Sequence, residues 1–170
     1  MERSEGDTAP GGAPRGAGAA APSVRDASAI IARVHADEKA ASQARDLYRT
    51  QRMQALEPDA GIAPLLAPEE QVLAVRHGAV FDRRQSTAGT DVRIGLNGSL
   101  YVTSQRLVLI GRLTLSFDLD DIEETVLSGE QLLLVMRDGT GVSLEVGQPR
   151  LLRVEIGTAR AAAREQSRPP

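Results

Sequence analysis

Asn97-Gly98-Ser99-Leu100-Tyr101-Val102-Thr103-Ser104-Gln105-Arg106-Leu107-Val108-Leu109-Ile110-Gly111 is the stretch on which the reading of the fold depends. It holds two short apolar runs, each with an aromatic or β-branched residue, parted by Thr103-Ser104-Gln105. Asn-Gly is the strongest short signal for a hairpin turn, because both residues tolerate positive φ. The Thr and Ser hydroxyls suit a second turn by bonding backbone amides. Gly111 then permits a reversal into another strand. The stretch reads as two central strands of an antiparallel meander.

The strand pattern extends in both directions. Upstream, residues 72–81 form a strand interrupted at Arg76-His77-Gly78, where Gly78 suggests a bulge. Residues 81–91 are polar and read as a loop. Val92, Ile94 and Leu96 alternate with Arg93 and Gly95, a short strand leading into Asn97-Gly98. Downstream, Leu113, Leu115 and Phe117 alternate with Thr114 and Ser116. Residues 122–127 and 131–136 are further strands, separated by Ser128-Gly129. Asp138-Gly139 turns the chain into Val142, Leu144 and Val146, again alternating. Pro149 then suits the first turn of a helix. Leu152, Ile156, Ala159 and Ala163 fall on one face of it, with Arg150, Arg153, Arg160 and Arg164 off that stripe. The stripe needs a partner, and the open end of the meander is the nearest.

The first half of the chain is different. Residues 1–23 are rich in Gly, Ala and Pro and cannot bury enough apolar surface to offset ordering, so a disordered tail is expected. Residues 24–57 contain no Gly or Pro and predict one long helix, ending before Pro58. Ile30, Val34, Ala41 and Leu47 or Tyr48 lie near one face, but Asp37 and Glu38 interrupt the stripe, so no sustained heptad repeat is present. Weak dimerisation, packing on the domain and standing in solvent all stay open for it. Residues 58–68, with Pro58, Gly61, Pro64 and Pro68, read as a linker whose Ile62, Leu65 and Leu66 dock somewhere. Residues 69–166 form the domain, and 167–170 a disordered end.

Composition excludes several kinds of chemistry. There is no cysteine among the 170 residues, which removes disulfides, thiolate nucleophiles and thiolate metal sites. Two histidines, His35 and His77, on different elements, are too few for a typical zinc site. A net charge of −3 and four aromatic residues argue against nucleic acid. One lysine against nineteen arginines, with abundant alanine, fits coding bias in a GC-rich bacterial genome. No apolar run approaches the ~20 residues that span a bilayer. The N-terminus lacks the apolar core of a secretory signal, so a cytoplasmic location is expected. Asp118, Asp120, Asp121, Glu123 and Glu124 form an acidic run without calcium-loop spacing. It reads as a solvated turn in which one aspartate accepts Arg106. Gly139-Thr140-Gly141 has no following Lys-Ser or Lys-Thr and opens no helix, so it is not a phosphate loop.

About seven antiparallel strands followed by a helix is the order of the pleckstrin-homology (PH) superfold. At the residue level, residues 69–165 resemble the GRAM and bacterial PH-like families. The resemblance rests on Gly98, Leu100-Tyr101-Val102-Thr103 and Arg106-Leu107-Val108-Leu109, with Leu119-Asp120-Asp121-Ile122 and Arg137-Asp138-Gly139 downstream. It implies an α+β chain: a PH-like split barrel capped by a C-terminal helix, preceded by the long helix and the tail. It also implies protein or lipid binding without catalysis; no cofactor and no metal are expected. Lipid-binding members place basic residues around the loop after the first strand. Here that region offers Arg83, Arg84 and Arg93, beside Asp82 and Asp91. The expected function is a non-catalytic interaction or adaptor module for a protein partner, with possible homodimer formation through the long helix. The alternative is peripheral binding to an anionic membrane.

Overall fold

The computed structural model describes residues 24–87 and 90–166; side chains of residues 24, 25 and 83–94 fall outside that description. The expected tail and C-terminal end, residues 1–23 and 167–170, lie outside the described residues. A helix, α1 (Val24–Thr50), leads through an irregular segment to seven strands. These are β1 (Val72–Thr87), β2 (Thr90–Thr103), β3 (Arg106–Gly111), β4 (Thr114–Asp118), β5 (Ile122–Ser128), β6 (Gln131–Met136) and β7 (Gly141–Glu145). A last helix, α2 (Pro149–Gln166), closes the chain.

All seven strands belong to one antiparallel sheet, ordered β4-β3-β2-β1-β7-β6-β5. β1 pairs with β2 along its whole length and with β7 only from Val80 to Arg83. It therefore joins a four-strand half to a three-strand half. Phe81 of β1 and Phe117 of β4 are separated by two intervening strands, roughly 14 Å across a flat sheet. Their rings nevertheless stack with centroids 5.5 Å apart, so the sheet curls into a split barrel. This is the PH-like arrangement, with a helix at each end of the strand sequence.

The main core lies inside that curl. It takes alternate residues of each strand, such as Leu100 and Val102, Leu107 and Leu109, Leu132 and Leu134, Val142 and Leu144. Leu152, Ile156 and Ala159 of α2 are fully buried in it, so the helical stripe plugs the barrel as its spacing predicts. A second cluster sits on the opposite face of β1 to β3: Ile62, Val72, Tyr101 and Val108, with Leu66, Val75 and Ile110. This explains the unbroken apolar run of β3, since both of its faces are covered. Of the three aliphatics expected to dock from residues 58–68, Ile62 is fully buried and Leu66 packs, whereas Leu65 is largely exposed. The segment is pinned by Asp59, which accepts hydrogen bonds from the Tyr101 hydroxyl at 2.7 Å and from the Gly61 and Ile62 amides.

Gly78 behaves as predicted: its φ is +69° and the β1/β2 register shifts between Arg76 and Ala79. Three other expectations need correction. Asn97-Gly98 is not a turn. It lies inside β2, with Asn97 opposite Val80 and Gly98 opposite both Ala79 and Gly111. The expected short strand and the first central strand are thus one strand. The expected loop at residues 81–91 is mostly strand as well, since β1 runs to Thr87 and β2 starts at Thr90. Hydrogen bonding to a partner backbone overrides the polar composition there. Finally, the first helix ends at Thr50 rather than at Glu57. Met53 turns into the main core, and the Leu56 amide bonds the Val72 carbonyl at 2.8 Å, extending the sheet locally. Residues 51–56 gain more from these tertiary contacts than from another helical turn.

Candidate functional site

The helices decide what surface the barrel presents. On α1 the buried or half-buried positions are Ala27, Val34, Asp37, Ala41, Ala44 and Tyr48, with Ile30 in line among them and Ala40 beside them. Their spacing alternates three and four, so they share one face. Asp37 lies in the middle of that face and is only 3% exposed. Its carboxylate accepts hydrogen bonds from the backbone amides of Arg150 and Leu151, at 2.9 and 3.0 Å. These amides open α2 and have no partner within their own helix. A negative charge there also meets the positive end of the helix dipole. The Arg150 guanidinium lies 3.6 Å from Asp37 and 3.3 Å from Glu38. The apparent flaw in the sequence stripe is therefore the fastening between the two helices. Asp37→Ala should cost about 2 kcal/mol, the value of a strong helix cap. Asp37→Asn, which still accepts, should cost less. Urea unfolding checks both.

A second polar link ties α2 to β1. Arg76 Nη2 donates to Glu155 Oε2 at 2.6 Å, and both residues are largely buried. Burial raises the Glu155 carboxyl above its ordinary value, with Arg76 pulling it part of the way back. Tyr48 of α1 sits near this pair. Its phenol is raised first by burial and then by the Glu155 charge, against a lowering by Arg76, so the hydroxyl stays protonated.

Beside these links the helices leave an open slot of about 580 Å³, lined by Arg45, Tyr48, Arg49, Arg153, Val154, Gly157, Thr158 and Ala161. It carries three guanidinium groups and no carboxylate. The slot runs on past Tyr48 and Arg49 toward Met53, Leu73 and Ala162, where Arg52 and Glu165 flank it. None of these residues is marked by a sequence motif. The signals that could have found them are Asp37 at a core position and Gly157 inside a helical pattern.

The residues singled out from sequence lie at the other end of the molecule. β2 loses β3 beyond Gly98, and β1 loses β7 beyond Arg83, so the farther residues pair only with each other, from Arg84 opposite Arg93 to Thr87 opposite Thr90. Arg84 and Arg93 thus fall on the two-stranded arm and Arg83 at its base, where β1 still pairs with β7; the side chains of all three lie outside the described residues. At the base of the arm, Arg112 and Leu113 form the turn between β3 and β4, beside Val80 and Leu96. Leu113 is 59% exposed, the most exposed large apolar side chain described.

The acidic run does not hold Arg106, contrary to expectation. Asp118 stands opposite Arg106 in the ladder, but the guanidinium forks onto Glu70, with Nε and Nη2 each donating at 2.9 Å. Nη2 also donates to the Leu65 carbonyl at 2.6 Å. Thr103 Oγ1 and the Ala67 amide donate to the same carboxylate. Glu69, immediately before it, has φ of +65°, a left-handed conformation that helps turn Glu70 inward. His77 Nδ1 lies 2.9 Å from Ser99 Oγ across the bulge, a surface contact between neighbouring strands. Among the described residues, no group of three or more His, Asp or Glu could hold a metal ion. No helix among them is long and apolar enough to cross a membrane.

No family model matches the chain, and no curated protein matches it. Among solved structures it is similar to the Vps36 N-terminal PH domain, at 19% identity and a TM-score of 0.46, over 68% of this chain and 96% of that one. It is also similar to the linker-DH/PH domains of p115-RhoGEF, at 11% identity and 0.42, over 78% of this chain and 42% of that one. An allosterically inhibited Vav1 is a further similar structure, at 12% identity and 0.39, over 86% of this chain and 26% of that one.

Proposed function

We propose that the chain is a non-catalytic interaction module that binds a protein partner on the face formed by α1 and α2. The observation that carries this reading is the capping of α2 by Asp37. It makes α1 part of the folded module, so the two helices present their outer flanks and the slot between them in one geometry. The side of α1 suited to a helical dimer is occupied by α2. Ile30 and Ile31 of its first turns remain exposed to meet a partner or a second copy. A photo-crosslinking residue at Ser42, exposed on α1, should give a discrete protein adduct in the native cell, and one at Leu113 should not. An adduct formed only from Leu113 would overturn this assignment.

One observation favours a second reading, binding to an anionic membrane. Arg112 and the exposed Leu113 stand at the base of the arm, beside Arg83 and below Arg84 and Arg93, so this end of the chain joins several arginines to an exposed apolar side chain. Each basic residue near such a surface contributes about 1 kcal/mol. Four would give roughly 4 kcal/mol, a dissociation constant near millimolar, and Asp82 and Asp91 subtract from it. Sedimentation with phosphatidylglycerol vesicles should therefore be slight at physiological salt and vanish as salt rises. Salt-resistant micromolar binding would make the membrane reading the leading one.

A further inference from the structure

The slot between α1 and α2 has features that the packing of the helices does not require. Gly157 lies in the interior of α2, where glycine weakens a helix. A Cβ added there would meet nothing within 4 Å, so no close packing calls for glycine. What its missing side chain preserves is the width of the slot. Tyr48 keeps its proton at neutral pH, and its hydroxyl has no hydrogen-bond partner among the described residues. Arg153 makes no ion pair among them either. Arg45 and Arg49 reach Glu38 and Asp46 only at 3.6 and 3.4 Å, between exposed side chains, and such pairs exchange readily for better ones.

Resting on the protein-interaction reading above, we infer that this slot takes an acidic peptide segment. Its carboxylates meet Arg45, Arg49 and Arg153, the Tyr48 hydroxyl donates to it, and its backbone passes over Gly157. Guanidinium groups suit carboxylates because they present paired donors. A bilayer is the poorer occupant, since Leu113, the most exposed large apolar side chain described, lies at the opposite end of the molecule.

The test uses the full chain and a fluorescein-labelled ten-residue peptide of alternating Glu and Ala, followed by anisotropy at low salt. A Lys/Ala peptide of the same length is the control. The acidic peptide should bind and the basic one should not. Affinity should fall about tenfold or more in Gly157→Leu, which fills the slot, and in the double variant Arg49→Glu/Arg153→Glu. Gly157→Leu should melt no lower than the parent, because leucine is the better helix former, so lost binding there is not unfolding. Equal affinity in parent and variants would overturn the inference. So would vesicle binding that disappears in these variants while the peptide fails to bind the parent. A Ser42 adduct that persists undiminished in Gly157→Leu overturns the slot alone. The absence of any adduct from the parent removes the wider reading.

Discussion

Replacing Arg106 with alanine should destabilise the protein by about 3–5 kcal/mol at neutral pH, the cost of leaving a buried charge unpaired. The Glu70 side chain has no solvent exposure. Burial by itself would raise its carboxyl. Hydrogen bonds from Arg106, the Ala67 amide and Thr103, with the Arg106 charge, outweigh burial and hold it below the usual glutamate value. Arg106→Lys should recover only part of the loss, because an ammonium cannot fork across both oxygens. The pH dependence gives a second readout. A carboxyl lowered on folding contributes stability above its unfolded value, near pH 4.5, and loses it as pH falls through the lowered folded value. Without Arg106, burial is opposed only by the Ala67 and Thr103 hydrogen bonds, so the Glu70 carboxyl rises relative to the parent. The gap between parent and variant should therefore narrow as pH drops toward 4. Glu155, whose carboxyl is raised on folding, is present in both proteins and cancels in the difference. Urea unfolding at pH 7 and pH 4 measures all of this, and a gap that does not change with pH would refute the account.

Gly98→Ala should cost at least about 3 kcal/mol, from overpacking against backbone. An added Cβ would lie 2.1 Å from the Ile110 carbonyl oxygen and 2.9 Å from Gly111 Cα. Neither atom can rotate away, because both belong to the strand paired with β2. The residue opposite is itself glycine, and a Cβ on Gly111 would lie 2.2 Å from the Asn97 carbonyl oxygen. The two strands therefore approach more closely here than side chains permit. Thermal unfolding tests this, and a melting temperature within a degree or two of the parent would show that the strands can separate.

Both effects reflect how much of the molecule was legible beforehand. Sequence periodicity located the strands from 106 onward, the bulge at Gly78 and the helical stripe of Leu152, Ile156 and Ala159, because alternation and 3.6-residue spacing are local properties of the chain. The motifs around Gly98 and Arg106 pointed to the same fold class. The candidate site was far less legible. Arg45, Arg49, Arg153 and Gly157 belong to two helices about a hundred residues apart, and no motif links them.

The sequence by itself determined the α+β class, the apolar faces and the absence of thiol chemistry, since each depends on composition or short-range order. Tertiary structure alone decided the rest. Asn97-Gly98 has the propensity of a turn, yet pairing with β1 and β3 on either side holds it extended. Arg106 had nearby aspartates to choose from, yet Glu70 is the carboxylate brought within reach of its fork inside the fold. Asp37 looked like an error in a helical stripe until the first turn of α2 was placed against it. In each case a local preference worth about 1 kcal/mol yields to a hydrogen bond or charge pair whose partner is distant in sequence. Such a partner exists only once the chain has closed upon itself.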